Sequence, residues 1–322
     1  MTRTALLAMT ALATAMFLLS MIVPWAAIDT LLERDPALAT AILVELRLPR
    51  ALLALTYGAA LGASGAAIQA LFANPLASPD LTGTTSGAAL GAVVTAYLLE
   101  LASPLALSLG AVTGALGALL LLLALAGRRA ETSTLLLAGL AISALAGALT
   151  TLALALAPSP FAFYDAYEWL MGSMVDRSLA QALFALLPSM AALLLLLRLV
   201  PALDGLALGE ESALAVGYNV GRVRLWVVTL SAVGVGACVA ICGAIGFVGL
   251  VAPIFARRIT GGAPGSAILP AALIGAALLL AADLVVRAAP FGRTLPIGVA
   301  TAVLGAPFFL WLVTRMRWRL GQ

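Results

Sequence analysis

The 322-residue chain contains no lysine and no histidine; all seventeen of its basic residues are arginine. Without lysine it has no Walker A phosphate loop of its own, no Schiff base and no lysine general base. Without histidine it lacks the usual proton shuttle and the commonest metal ligand. A nucleotide-driven step must therefore take place on another polypeptide. Charged residues of both signs make up only 10% of the chain, against about a quarter of a soluble domain. The small net charge of +3 suits basic cytoplasmic loops better than nucleic-acid binding. Cysteine is nearly absent as well. Cys238 and Cys242 lie four residues apart on one apolar segment and so share a helix face. Two thiolates with no further ligand nearby make a poor metal site, and small buried hydrophobes are the better reading.

What is present is apolar. The AVILMFWYC set supplies 63% of the residues and the mean hydropathy is +1.14. At about 20 residues per bilayer crossing this is enough for roughly ten helices. A soluble enzyme, a secreted disulfide scaffold and a disordered chain are excluded, and the fold class is all-α and polytopic. Ten spans follow from the hydropathy: about 5–28, 51–71, 81–99, 105–126, 133–157, 181–200, 225–241, 244–259, 267–286 and 295–314. The first is longer than the apolar core of a cleaved leader and reads as a transmembrane helix. A loop carrying Asp35, Glu45, Arg47 and Arg50 is expected before the second. After it, Pro75 and Pro79 in Asn74–Asp80 force the chain to turn or unwind. Phe161, Phe163, Tyr164, Tyr167 and Trp169 suit a short helix at the membrane–water interface.

An even number of spans puts both termini on one side. Placing them in the cytoplasm assigns Arg3, Arg128, Arg129, Arg198, Arg222, Arg224, Arg257, Arg258, Arg315, Arg317 and Arg319 to the inside. Arg34, Arg47, Arg50, Arg177, Arg287 and Arg293 fall outside, and eleven against six satisfies the positive-inside rule. Gly58/Gly62, Gly83/Gly87/Gly91 and Gly110/Gly114 are GxxxG steps that allow close helix packing. Arg47–Arg50, a Gly/Ala-rich span and Asn74-Pro75 echo loosely in Arg222–Arg224, a Gly-rich span and Ala252-Pro253, as an inverted repeat would. Asp283 is the one acid read as lying well within a span, with Arg287 a turn later on its face. So few buried acids give poor support to a proton relay. The polar stretch Leu203–Tyr218 combines Leu206, Leu208 and Leu214 with Glu210 and Glu211 at the start of a short helix, bracketed by Gly209 and Gly217. That is either a docking element for a soluble partner or an ordinary loop.

Several stretches are similar to the binding-protein-dependent importer permeases for iron–siderophores, haem and vitamin B12, the FecCD-type family. They are Arg47-Leu48-Pro49-Arg50; Gly58–Gly91 around Gln69 and Asn74–Pro79; Leu135–Gly139; Leu208–Gly217; Gly243–Pro253; and Leu295–Phe309. They occur in order from about residue 47 to 314. One departure stands out: the family often has histidine after the proline at 253, and here Ile254 follows.

The resemblance implies a type II ABC importer permease fold, one domain over 1–322 with a coupling segment at about 203–222. It also implies a homodimer in the bacterial inner membrane, two separate ABC ATPase subunits, a periplasmic substrate-binding protein and no cofactor. By the same resemblance Arg47, Arg50 and Arg287 receive the binding protein. Leu206, Leu208, Gly209, Glu210, Glu211, Leu214, Gly217 and Tyr218 couple to the ATPase. Asn74, Leu76, Thr132 and Ser133 form the cytoplasmic gate, although Thr132 or Ser133 would equally serve as a helix N-cap. The cargo is a metal chelate or large cofactor (an iron–siderophore, haem or a cobalamin). Length and composition alone equally allow a ten-span secondary transporter driven by an ion gradient.

Overall fold

Asp35 and Pro36 begin the helix that organises the bundle. The Asp35 carboxylate accepts the Leu38 N–H at 3.1 Å, and Pro36 takes a first-turn position where its missing donor costs nothing. The computed structural model describes residues 3–23, 35–101, 103–127, 132–157, 159–288 and 295–320. In it α1 is Arg3–Ile22, and α2 runs without interruption from Pro36 to Leu71. Arg47 and Arg50 therefore stand on a helix, which corrects the loop expected there. Residues Ile42–Arg47 are π-wound immediately before Pro49. That winding relaxes the hydrogen-bond pattern against which a proline would otherwise break the helix.

The remaining helices are α3 (Thr84–Tyr97), α4 (Pro104–Ala126), α5 (Thr132–Ala155), α6 (Pro160–Leu170) and α7 (Leu179–Arg198). Then come α8 (Val200–Leu206), α9 (Glu210–Ala215), α10 (Val220–Cys242), α11 (Val248–Ile259), α12 (Ile268–Ala288) and α13 (Ile297–Leu320). Helix α6 is the short aromatic one, with Phe163 and Tyr167 stacked at 6.0 Å between centroids. Ten of these helices match the ten apolar segments, and among the described residues seven are long and apolar enough to cross a bilayer. We call the two ends of the bundle outer and inner after the orientation that the arginine count assigns.

Helices α3 and α11 are short, at 14 and 12 residues. At 1.5 Å per residue each covers about 20 Å, less than the ~30 Å hydrocarbon core. The chain after α2 turns back into the bundle before α3 begins. A β-carbon on Gly139 would strike the Leu81 carbonyl, and the Ser143 hydroxyl donates to the Asp80 carbonyl at 3.3 Å. Gly139 and Ser143 lie in the middle of α5, so α3 starts at mid-depth. Asp80 is accordingly a second intramembrane acid, held by the Thr85 hydroxyl at 3.0 Å, and the reading of Asp283 as the lone one is corrected. The N-terminus of α11 lies beside it, since Gly249 packs on Pro79, Leu61 and Gly65.

Irregular backbone at this depth needs partners from the protein. The buried Tyr57 hydroxyl supplies two, donating to the Gly243 carbonyl at 3.1 Å and accepting the Ile245 N–H at 3.2 Å. Gln69, also fully buried, donates to the Leu250 carbonyl at 3.3 Å. Both project from α2, which thus pins the broken connection between α10 and α11. In the core 83% of the apolar stretch of α2 is covered, against 17% for α1, which faces outward. The glycine steps set the approach: β-carbons on Gly58 or Gly62 would collide with α12 backbone at Gly275 or Ala271. Gly87 and Gly91 likewise meet Gly110 and Gly114 between α3 and α4. Cys238 and Cys242 are fully buried free thiols within this core.

Candidate functional site

Two groups of the residues singled out by sequence lie at opposite ends of the bundle. At the outer end α2 and α12 bring Arg47, Arg50 and Arg287 to the C-terminus of α1. The Asp283 carboxylate, 0% exposed, is clasped from both sides. Arg50 Nε donates to its Oδ1 at 2.7 Å, and Arg287 Nε lies 3.1 Å from its Oδ2 as an ion pair without hydrogen-bond alignment. The i,i+4 pair read from the sequence is thus half of a triad. Arg287 also donates to the Ser20 carbonyl at 2.9 Å and its hydroxyl at 2.6 Å, and Arg47 donates to the carbonyls of Met21 and Ile22, each at 2.9 Å.

Two guanidinium groups against one carboxylate leave the triad with a net positive charge. The free carbonyls at the end of α1, where the helix dipole is negative, offset it. Beside the triad is a cavity of about 250 Å³ lined by Ile42, Leu46, Arg47, Arg50, Arg287 and the turn Met174–Arg177. A larger recess of about 380 Å³, with Glu168, Trp169, Ser173 and Pro296 in its wall, shares Val175, Asp176 and Arg177 of that turn.

At the inner end the expected short helix is α9. It starts after Gly209 (φ +106°) and is closed by Gly217 (φ +95°), whose backbone conformations few other residues adopt. A further helix, α8, precedes it, and the sequence reading missed it. Leu206 and Tyr218 pack inward on the core, so these two positions anchor the segment to the bundle. Leu208, Leu214 and Val216 point away, 78%, 57% and 75% exposed. Glu210 pairs with Arg224 on α10, while Glu211 is exposed.

Asp204, overlooked in the sequence, locks this segment in place. Its Oδ1 accepts the Gly265 N–H at 2.7 Å, and its Oδ2 accepts the Ser266 hydroxyl at 3.0 Å. Gly265 is forced, because a β-carbon there would run into the Val200 carbonyl of α8. The segment is therefore fixed to the turn that starts α12, the helix whose other end carries Asp283 and Arg287. An aspartate followed by glycine at the end of a helix was the available signal; its partner 61 residues away was not.

The two breaks assigned to the gate are flanked by residues of one buried apolar cluster. Asn74 accepts the Leu76 N–H at 2.9 Å in a tight local turn, and both residues are half-buried. Phe72 and Ala77, around the first break, and Leu135 and Ile142 of α5 belong to that cluster. Helix α5 begins at Thr132, whose side chain lies outside the described residues, and Ser133 is exposed in its first turn. Ser133 is therefore inside the helix rather than its N-cap. Arg34, Arg128, Arg129 and Arg293 also lie outside the described residues. Ile254, half-buried on α11, follows Pro253 in the place where histidine is often found in the family resembled above.

Comparison with known proteins matches residues 6–315 to the FecCD transport family. The chain is 38% identical over 276 residues to the Fe(3+) dicitrate transport system permease protein FecD of Escherichia coli (strain K12), covering 86% of each chain. It is 42% identical over 279 residues to the vitamin B12 import system permease protein BtuC of Klebsiella pneumoniae, covering 85% of this chain and 83% of that one. Among solved structures, a metal-chelate type ABC transporter in an inward-facing conformation superposes with a TM-score of 0.86 at 31% identity, over 98% of this chain and 100% of the other. PsaBC from Streptococcus pneumoniae shares the fold at a TM-score of 0.57 and 20% identity, covering 88% and 94% of the two chains.

Proposed function

The chain belongs to the FecCD transport family, and we propose that it works as the homodimeric permease of an importer in the bacterial inner membrane, powered by two separate ABC ATPase subunits. Its cargo is a metal chelate or a cobalamin-type cofactor delivered by a periplasmic binding protein. The observation that carries this reading is the match across nearly the whole chain to permeases named for ferric dicitrate and vitamin B12 import. Family membership also sets aside the ion-gradient transporter that composition allowed.

In this reading both termini are cytoplasmic. The outer arginines Arg47, Arg50 and Arg287 receive acidic side chains of the binding protein. The exposed leucines of α8–α9 seat in the ATPase, with Leu206 and Tyr218 tying them to the core. Because Asp204 fixes that segment to the start of α12, a displacement imposed by the ATPase reaches the transmembrane core instead of dissipating in a loop. Asn74, Leu76, Thr132 and Ser133 close the pathway near its inner end, against their counterparts in the second protomer. With no lysine for a Walker A loop in this sequence, hydrolysis is assigned to the partner.

The test is uptake into proteoliposomes holding the permease with its co-purified ATPase. Ferric chelate or cobalamin should enter only with ATP and binding protein, and cysteines placed at Leu76 or Ser133 should crosslink across the dimer in one nucleotide state. Uptake driven by an ion gradient without the ATPase would overturn the reading. Crosslinks absent in every state, with the dimer intact, would remove these residues from the gate.

A further inference from the structure

Four arginines border the outer cavity, and three of them are already engaged. Arg50 and Arg287 hold Asp283, and Arg47 holds the last carbonyls of α1. The fourth, Arg177, makes no hydrogen bond or ion pair with any described residue, and its Nε is buried without a partner. A guanidinium with no carboxylate or carbonyl of its own to hold can pair with an incoming carboxylate by a charge-assisted hydrogen bond.

The turn that carries Arg177 is held rigidly. Met174 is 2% exposed, the Ser173 N–H donates to the Cys242 carbonyl at 2.7 Å, and the Val175 N–H donates to the Ser173 hydroxyl at 3.2 Å. Asp176 adopts φ +56°, unusual for a residue with a side chain. On the far side, Ser178 and Gln181 form a capping box that fixes the start of α7. The guanidinium is thus presented from a pre-ordered position, not from a loose loop.

We propose that Arg177 is a docking residue that pairs with an acidic side chain of the periplasmic binding protein. Among the four arginines of the cavity it is the one with no hydrogen bond or ion pair to a described residue to compete with this group. Size and lining favour a protein side chain over the cargo. The cavity holds about 250 Å³, below the ~300–1,000 Å³ of pockets that enclose drug-sized molecules. Its wall combines arginines with the apolar Ile42 and Leu46, the composition of an interface anchor. The proposal rests on the docking reading given above for Arg47, Arg50 and Arg287.

The experiment measures the association rate of the binding protein that co-purifies with the wild-type permease–ATPase complex, using complexes in nanodiscs at low and high salt. Arg177→Glu should slow association at least about tenfold at low ionic strength, with the deficit shrinking as salt screens it. Arg177→Lys should restore most of the rate. If Arg177→Glu associates like wild type while Arg47→Glu is slowed, the proposal falls and the docking reading stands. If neither variant is slowed, or no periplasmic protein binds the wild-type complex, both fall. A deficit that persists at high salt, or is equal in Arg177→Lys, marks a structural role and overturns the proposal. Should Arg177→Glu not yield an intact dimer, Arg177→Gln is measured in its place, with wild-type kinetics again overturning it.

Discussion

The outer arginine cluster and the inner α8–α9 segment solve opposite problems. At the outer end charge is concentrated in a setting that disfavours it, and nearly every guanidinium is satisfied by Asp283 or by the end of α1. At the inner end the frame is fixed by one acid, Asp204, and what it displays is apolar: Leu208, Leu214 and Val216. Buried charges give orientation and long-range attraction, and removing one partner exposes the cost of the other. Exposed leucines contribute little to the fold but become anchors once a partner covers them. In the proposed function the same chain offers one partner a field and the other a set of knobs.

Breaking the outer cluster should have the largest effect. Asp283→Ala leaves Arg50 and Arg287 without their shared carboxylate, and a loss of about 3–5 kcal/mol is expected in unfolding of the detergent-solubilised protein. Stability within about 1 kcal/mol of wild type would show that the α1 carbonyls suffice alone. At the inner end the balance is the other way: Leu214→Ala should change stability by less than about 0.5 kcal/mol, yet weaken ATPase binding by about 2 kcal/mol in a titration of the two subunits.

Two smaller changes sharpen the contrast. Asp204→Asn keeps an acceptor but loses the charge, so about 1 kcal/mol of local stability should go. It should be read as faster hydrogen exchange at the Gly265 and Ser266 amides. Glu210→Gln breaks the partly exposed pair with Arg224 and should cost less than about 1 kcal/mol in the same assay, fading with salt.

How legible all this was in the sequence depended on range. The ten apolar segments, the aromatic α6 and the glycine steps were readable because each is a local pattern. The short helix at Glu210 was readable for the same reason, since two acids and two flanking glycines mark its ends. Arg47 and Arg50 were placed in a loop because charge and proline outweighed helix propensity, whereas the π-winding before Pro49 lets the helix continue. The shortness of α3 and α11, and Asp80 at mid-depth, depend on where the chain re-enters the bundle, which hydropathy does not encode. Tyr57 and Gln69 carried a signal, polar tips in an Ala/Gly-rich helix, but their partners are more than 180 residues away. Asp283 was seen with Arg287 at i+4; its stronger contact with Arg50 spans 233 residues.

The comparison between the two ends is tested most directly by salt. Binding of the periplasmic protein to the outer face and of the ATPase to the inner face are measured on one preparation as ionic strength rises from about 0.05 to 0.5 M. The expected result is a fall of at least about tenfold in the outer association rate and less than about twofold change in ATPase affinity. A flat outer rate together with salt-sensitive ATPase binding would contradict the account.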